Sequence, residues 1–526
     1  MSRNSISQIA ACLLLLMIAA CAEKHGQDPA DGASIQGTDI AKNNTIAWFD
    51  GSVEDAFARA ASTNKPIFLY WGAEWCPPCH ELKATIFQRP EFIRQSRLFL
   101  PVYLDGDSER AQLYGEKFGV FGYPTVIIFS PQGEEITRIP GGMDIQQYVD
   151  VMDMALNALR PVSEMVASVR EGNELQVADW KMLANYSWGQ DSGRALGETS
   201  LFETATLLAE ACPSTLPTEK SQLQMLAVTA WLRDEARDEA LAADLSSAAN
   251  AILADPGLAA ANSNSFLYGS EAMINSLAEE GEPREQLADK LQAFALSVYE
   301  DPATPVLSRL DALFAWQDST LALLGEDAVL PEDKQRWLYS NVEETRKSLN
   351  SYQQHAAVNT ISQMYYQAGL VQEARDTLVY GMEVSRQPYY FMASMGYIER
   401  LEGNDKEALH WYRKAWDTSR GAATRVQWGS NYLLALIKLS PEDMNAIDEA
   451  GKTVLTELAA QDAGLRHRSA MRMNRVSTEL MDWGAEDVAR QQVLGQLRTQ
   501  MDGICSDLAG ERPETCDSFL QPPQAG

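Results

Sequence analysis

Two cysteines three positions apart, Cys76 and Cys79, sit where an apolar run meets a helix-period segment, and that junction constrains what the chain can fold into. The run before them, Pro66-Ile67-Phe68-Leu69-Tyr70-Trp71, reads as a buried strand. The segment after them, Glu81 to Phe87, has helical spacing. Strand, tight turn and a helix opening at the first cysteine form a thiol redox arrangement. The chemistry accounts for the spacing. A thiolate is the nucleophile, and a cysteine at a helix N-terminus is stabilised by unpaired N–H groups and the positive end of the dipole. Cys76 holds that place, and Cys79, on the same helical face, can resolve a mixed disulfide formed at Cys76. Three rivals are weighed. Cys76 to His80 spells C-x-x-C-H, a haem attachment pattern, but Pro77, Pro78 and the preceding strand argue against it. Zinc needs four ligands, and no second pair lies in range. An inert structural disulfide stays open. The thiols call for no cofactor and no metal.

Further along, Gly122-Tyr123-Pro124-Thr125 precedes the apolar run Val126-Ile127-Ile128-Phe129, a setting that suits a cis proline. With these residues in place, the stretch from about Trp48 to Leu159 resembles the thioredoxin superfamily. It is most similar to the soluble C-terminal thioredoxin-like domain of the transmembrane reductase DsbD. The residues carrying the likeness are Lys65-Pro66, Trp75, Cys76, Cys79, Pro90-Glu91-Phe92, Asp105, Gly122, Pro124-Thr125, Gly133 and Gly141. The resemblance implies an α/β thioredoxin-like fold with Cys76 and Cys79 catalytic. It further implies that Trp75 shields the pair and that Tyr123 and Pro124 shape a peptide-docking edge. It implies protein disulfides as substrates and a membrane electron donor of the DsbD type. The chain also departs from the family. Tyr70 stands six residues before Cys76, where a buried acid is usual, and Lys83 replaces a second acid. Glu74, His80 and Glu81 are the nearby candidates for the missing proton acceptor.

The remaining elements fit such a sheet. A helix is predicted over Val53–Ser62, capped by Ser52 with Asp55 near N3, then a strand over Phe99–Leu104 and a helix from Ser108 to Phe118. Strands at Thr125–Phe129 and Ile136–Ile139 flank the turn Pro131-Gln132-Gly133, and a helix over Asp144–Leu159 closes the domain.

The chain's start reads as targeting. Arg3 precedes an apolar stretch, Ala10–Ala20, too short to span a bilayer comfortably, which ends Ile18-Ala19-Ala20-Cys21. This resembles a bacterial lipoprotein signal and implies lipidation on Cys21, with Ala22 favouring the outer membrane of a Gram-negative cell. An ordinary secretory signal is the alternative. Residues 21–45 are small and polar and read as a flexible tether.

After Arg160-Pro161 the chain turns rich in Ala, Leu, Glu and Gln, and 161–500 reads as all helix, predicted to fold on its own. Segment 356–389 superposes on 390–423 at a period of 34, aligning Gly369 with Gly403, Glu373-Ala374 with Glu407-Ala408, and Ser385-Arg386 with Ser419-Arg420. That region resembles a degenerate tetratricopeptide-like array, implying a protein or peptide partner. Its tryptophans, Trp180 to Trp483, serve either helix packing or an aromatic groove, and sequence does not separate the two. In the tail 501–526, Cys505 and Cys516 are candidates for a structural disulfide, and Cys212 is left over as a small buried residue.

A net charge of −30 argues against nucleic acid and against adhesion to anionic lipid, so a lipid anchor would hold the protein to its membrane. The reading is an exported, tethered thiol–disulfide oxidoreductase, reducing in direction. The rival is a repeat scaffold with an accessory redox domain.

Overall fold

Alternation along one strand organises the first part of the chain. In β1 (Ile67–Gly72) every residue is buried, because both faces are covered. Phe68 and Tyr70 enter one apolar cluster, while Ile67, Leu69 and Trp71 enter another. β1 lies at the centre of a four-stranded mixed sheet of order β2-β1-β3-β4. It runs parallel to β2 (Leu100–Asp105), with Gly72 opposite Asp105, and antiparallel to β3 (Thr125–Phe129), with Trp71 opposite Thr125. β3 pairs with β4 (Glu135–Ile139) through a hairpin in which Gly133 takes φ 90° and Ser130 accepts from Gln132 and Glu134 N–H. That φ requires glycine. The computed structural model describes residues 45–521 except 74, 75, 77, 78, 80, 81, 84, 85, 107, 121, 140–144, 159, 192, 326, 327, 386, 462, 463, 486 and 509–511. The segments expected as a signal (1–20) and as a tether (21–45), with Cys21, lie outside the described residues except for residue 45.

The helices of this module follow their caps. α1 (Val53–Thr63) starts at Ser52, whose hydroxyl accepts from Asp55 N–H while the Asp55 carboxylate returns to Ser52 N–H. α2 (Pro90–Ser96), which the sequence reading did not assign, opens on a proline at its first turn. α3 (Glu109–Phe118) is capped by Ser108 and stops at Gly119, which has φ 58°. α4 (Ile145–Ala158) ends the module. The segment expected as helix through Phe87 instead gives way to a 3-10 turn at Ile86–Gln88.

From Val162 to Ser506 the chain is helical, apart from turns and a 3-10 segment at Glu239–Leu241. Gly369 and Gly403, aligned in the sequence, both have positive φ between consecutive helices. At Gly396 a Cβ would stand 3.2 Å from the Ala408 carbonyl, so helices Tyr389–Leu401 and Asp405–Thr418 meet almost backbone to backbone. Eight of the nine tryptophans of this region are buried or half-buried, and Trp337 reaches 36% exposure. A disulfide joins Cys505 and Cys516. Cys212 is a free, buried thiol, its pKa pushed up to about 11 by burial.

Packing does not pause at residue 160. Phe68, Tyr148 and Met152 share one apolar cluster with Val162, Met165, Trp180 and, further on, Trp428. No helix among the described residues is long and apolar enough to cross a membrane.

Candidate redox site

Beyond β1 the chain turns, with Cys76 N–H on the Ala73 carbonyl, and helical backbone is in place at Cys79. Cys76 and Cys79 are joined by a disulfide with Cα atoms 5.1 Å apart. Cys79 N–H points at Cys76 Sγ from 3.2 Å. Prolines at 77 and 78 carry no N–H, and among the described residues the Cys79 N–H is the backbone donor aimed at Cys76 Sγ. Cys76 is 2% exposed and Cys79 0%, so both are buried in the disulfide form. Trp75, Pro77 and Pro78, with Glu74, His80 and Glu81, lie outside the described residues.

The loop before β3 holds the second part of the site. The Tyr123–Pro124 peptide is cis. Thr125 hydroxyl donates to the Gly122 carbonyl at 2.7 Å, and Tyr123 hydroxyl to the Gly106 carbonyl at 3.2 Å. Gly106 makes room for that ring, because a Cβ there would come within 2.4 Å of Tyr123 Cζ.

Below the disulfide, Tyr70 occupies the position of the missing acid. It is fully buried and its hydroxyl donates to the Cys79 carbonyl at 3.3 Å. Burial, then Tyr103, Tyr148 and Asp105, hold its pKa well above the ordinary phenol value, so it stays a neutral hydrogen-bond donor. Its ring stacks on Tyr103 with centroids 5.5 Å apart, and the Lys83 ammonium stands 4.7 Å from the Tyr103 centroid. The carboxylate felt at Tyr70 is that of Asp105, at the end of β2. An aromatic floor with a cation beside it thus replaces the carboxylate floor that the resemblance implied.

The helical region closes on this module. Gln190 Nε2 donates to the Pro124 carbonyl at 3.2 Å. The Arg468 guanidinium lies 5.7 Å from the centroid of Tyr123. Ser187 N–H caps the Arg138 carbonyl on edge strand β4. Arg138, fully buried, donates to the carbonyls of Gly119 and Gln190 at 3.0 and 2.9 Å and to the Glu135 carboxylate at 3.0 Å. Sequence reading missed all of these. Arg138 alone had a signal, a charge inside the apolar run of β4; Gln190 and Arg468 have none, being 66 and 345 positions from their partners.

Comparison with known proteins places the module. Residues 53–156 match the family described as Thioredoxin-like domain. "Probable thioredoxin-2" of Caenorhabditis elegans is 30% identical over 107 residues, 20% of this chain and 70% of that protein. The chain belongs to the thioredoxin-like family. "Thiol:disulfide interchange protein DsbD" of Yersinia pestis (strain Pestoides F) is 36% identical over 95 residues, which are 17% of this chain. The match spans only 16% of the DsbD length. Among solved structures, a "DsbH Oxidoreductase" is matched over 24% of this chain and 96% of its own, at 20% identity and a TM-score of 0.20. A thioredoxin-like fold carrying a CxxC-spaced disulfide classes this domain among the thiol–disulfide oxidoreductases.

Proposed function

We propose that this thioredoxin-like protein is an exported reductase of protein disulfides, held to a membrane by a lipid on Cys21. The observation that carries the reading is the Cys76–Cys79 disulfide at the strand-to-helix junction after β1, in a sheet whose neighbouring strand β3 is preceded by Tyr123 and Pro124. In the reduced enzyme the Cys76 thiolate attacks one sulfur of a substrate disulfide. A Cys76–substrate disulfide forms, and the other substrate sulfur leaves as a thiolate. Cys79 loses its proton and attacks Cys76, which releases the second substrate thiolate and leaves the Cys76–Cys79 disulfide. A membrane dithiol donor of the DsbD type then returns two electrons. Cys79 N–H and the helix end stabilise the Cys76 thiolate, the latter by about 0.3–1 kcal/mol. In the sequence Trp75 precedes the pair and Pro77 and Pro78 stand between its cysteines, the resemblance giving them a supporting role, and Tyr123 and Pro124 supply the docking edge.

The same reading divides the chain into a lipoprotein signal (1–20), a tether (21–45), a redox domain (46–160), a helical domain (161–500) and a tail (501–526). The helical domain, with its tetratricopeptide-like stretch, binds a protein partner. The location is the periplasmic face of the outer membrane. With few donors around Cys76, the pair should be a reductant. Equilibration with glutathione, read by the fluorescence of Trp71 and Trp75, should give a potential near about −270 mV. A value near about −120 mV would make the protein an oxidant and overturn the reading.

A further inference from the structure

The helix His467–Gly484 carries Arg468, Arg472 and Arg475 at spacings of four and three, which sets them along one face. Its first member lies on the ring of Tyr123, beside the cis proline. The row therefore begins at the docking edge and runs away from it by about 1.5 Å per residue. The partners on the neighbouring helix Ala422–Leu439 are neutral amides. Arg468 donates to Gln427, and Arg472 donates to Asn431 Oδ1 at 3.3 Å. Elsewhere in this region, arginines on facing helices meet carboxylates, as in Arg375–Glu399 at 2.8 Å and Arg425–Glu457 at 3.0 Å. Arg472 does not. The charged groups acting on it are the Arg468 and Arg475 guanidiniums. Burial and those two charges push its pKa down, with the Tyr390 phenol acting the other way. A guanidinium keeps its proton in proteins, so the repulsion persists until an anion relieves it.

We propose that this arginine row binds an acidic segment, the Asp or Glu carboxylates of the disulfide-bearing substrate, next to the docking edge at Tyr123. The inference rests on the redox function proposed above and names its substrate class. A carboxylate fits because guanidinium binds it through paired N–H donors. A long polyanion such as nucleic acid does not fit, because the chain's net charge of −30 repels it. A short acidic segment feels mainly the local row, within a screening length of about 8 Å at physiological salt.

The test uses the full chain and fluorescence anisotropy. The probe is a fluorescein-labelled peptide of alternating Glu and Gly, with a Lys–Gly counterpart as control. The Glu peptide should bind and the Lys peptide should not, and added salt should weaken binding. Arg472→Gln should weaken it by about tenfold. Arg475, at the surface, supplies a second variant that folding does not confound, and Arg475→Gln should weaken binding in the same direction. Equal binding of both peptides, or no loss in either variant, would overturn the proposal. So would preference for inorganic phosphate or a single-stranded oligonucleotide. Insulin reduction by the same preparation separates the two readings. Glu-peptide binding without insulin reduction upholds the anion site and removes the redox function; insulin reduction without peptide binding does the reverse.

Discussion

Tyr123 owes its position to a missing side chain. A Cβ on Gly106 would overlap the end of its ring, so Gly106→Ala must push Tyr123 off the Gly106 carbonyl. Because the ring tip can move, the stability cost should stay near about 1 kcal/mol. The docking edge, however, should be disturbed, with KM for insulin raised several-fold and kcat changed less. An unchanged KM would separate Tyr123 from docking. Asp311 shows how burial stores pH dependence. Its carboxyl accepts from Tyr268 hydroxyl at 3.0 Å, yet burial pushes its pKa up to about 6. The native state thus holds this proton more tightly than the unfolded chain, where the pKa is about 3.9. The stabilisation is complete below about pH 4 and is lost as pH rises through about 6. Asp311→Asn should therefore raise stability at pH 7 by about 1–2 kcal/mol and leave it nearly unchanged at pH 4. Equal effects at the two pH values, measured by urea unfolding, would contradict this assignment.

The Arg138 guanidinium ties strand β4 to the short helix Trp188–Asp191, beside the Ser187–Arg138 backbone bond. Arg138→Met would leave the Gly119 and Gln190 carbonyls and the Glu135 carboxylate without their donor. The expected cost is about 3–5 kcal/mol, seen as a lower denaturation midpoint at an unchanged slope. A loss below about 1 kcal/mol would show that water replaces the side chain. Elements of the redox module were legible because their signals are local. Ser52 and Ser108 cap the helices they were read to cap, and the strands fall within a residue or so of the periodic runs. Cys76 and Cys79 are legible for the same reason, their chemistry depending on a three-residue spacing at a junction. What joins the elements was not legible. Tyr123 under Arg468 and Pro124 bonded to Gln190 depend on which helix faces which loop, and no window of sequence encodes that. The aromatic floor falls between. Tyr70 was visible as a departure, but its bond to Cys79 was not.

Over the whole molecule, one core crosses the boundary that composition marks at Pro161. Tyr148 and Met152 of α4 pack in the same cluster as Met165 and Trp180, so a cut at 160 exposes apolar surface on both fragments. Fragment 46–160 should melt below the full chain and bind a hydrophobic dye. A fragment as stable as the whole would instead favour the autonomy expected from composition. The helical region also reaches the loop at Tyr123 and Pro124 and, through Arg466 to Glu116 at 3.4 Å, the α3 helix. In the proposed reaction a substrate meets the disulfide in the presence of both parts, which makes the intact protein the right object for the decisive measurement. That measurement is trapping. Full-length Cys79→Ser, reduced and mixed with insulin, should accumulate a mixed disulfide on Cys76, visible as an adduct by intact mass and cleared by dithiothreitol. Cys76→Ser should trap none. No adduct on Cys76, or equal adducts in both variants, would contradict the account.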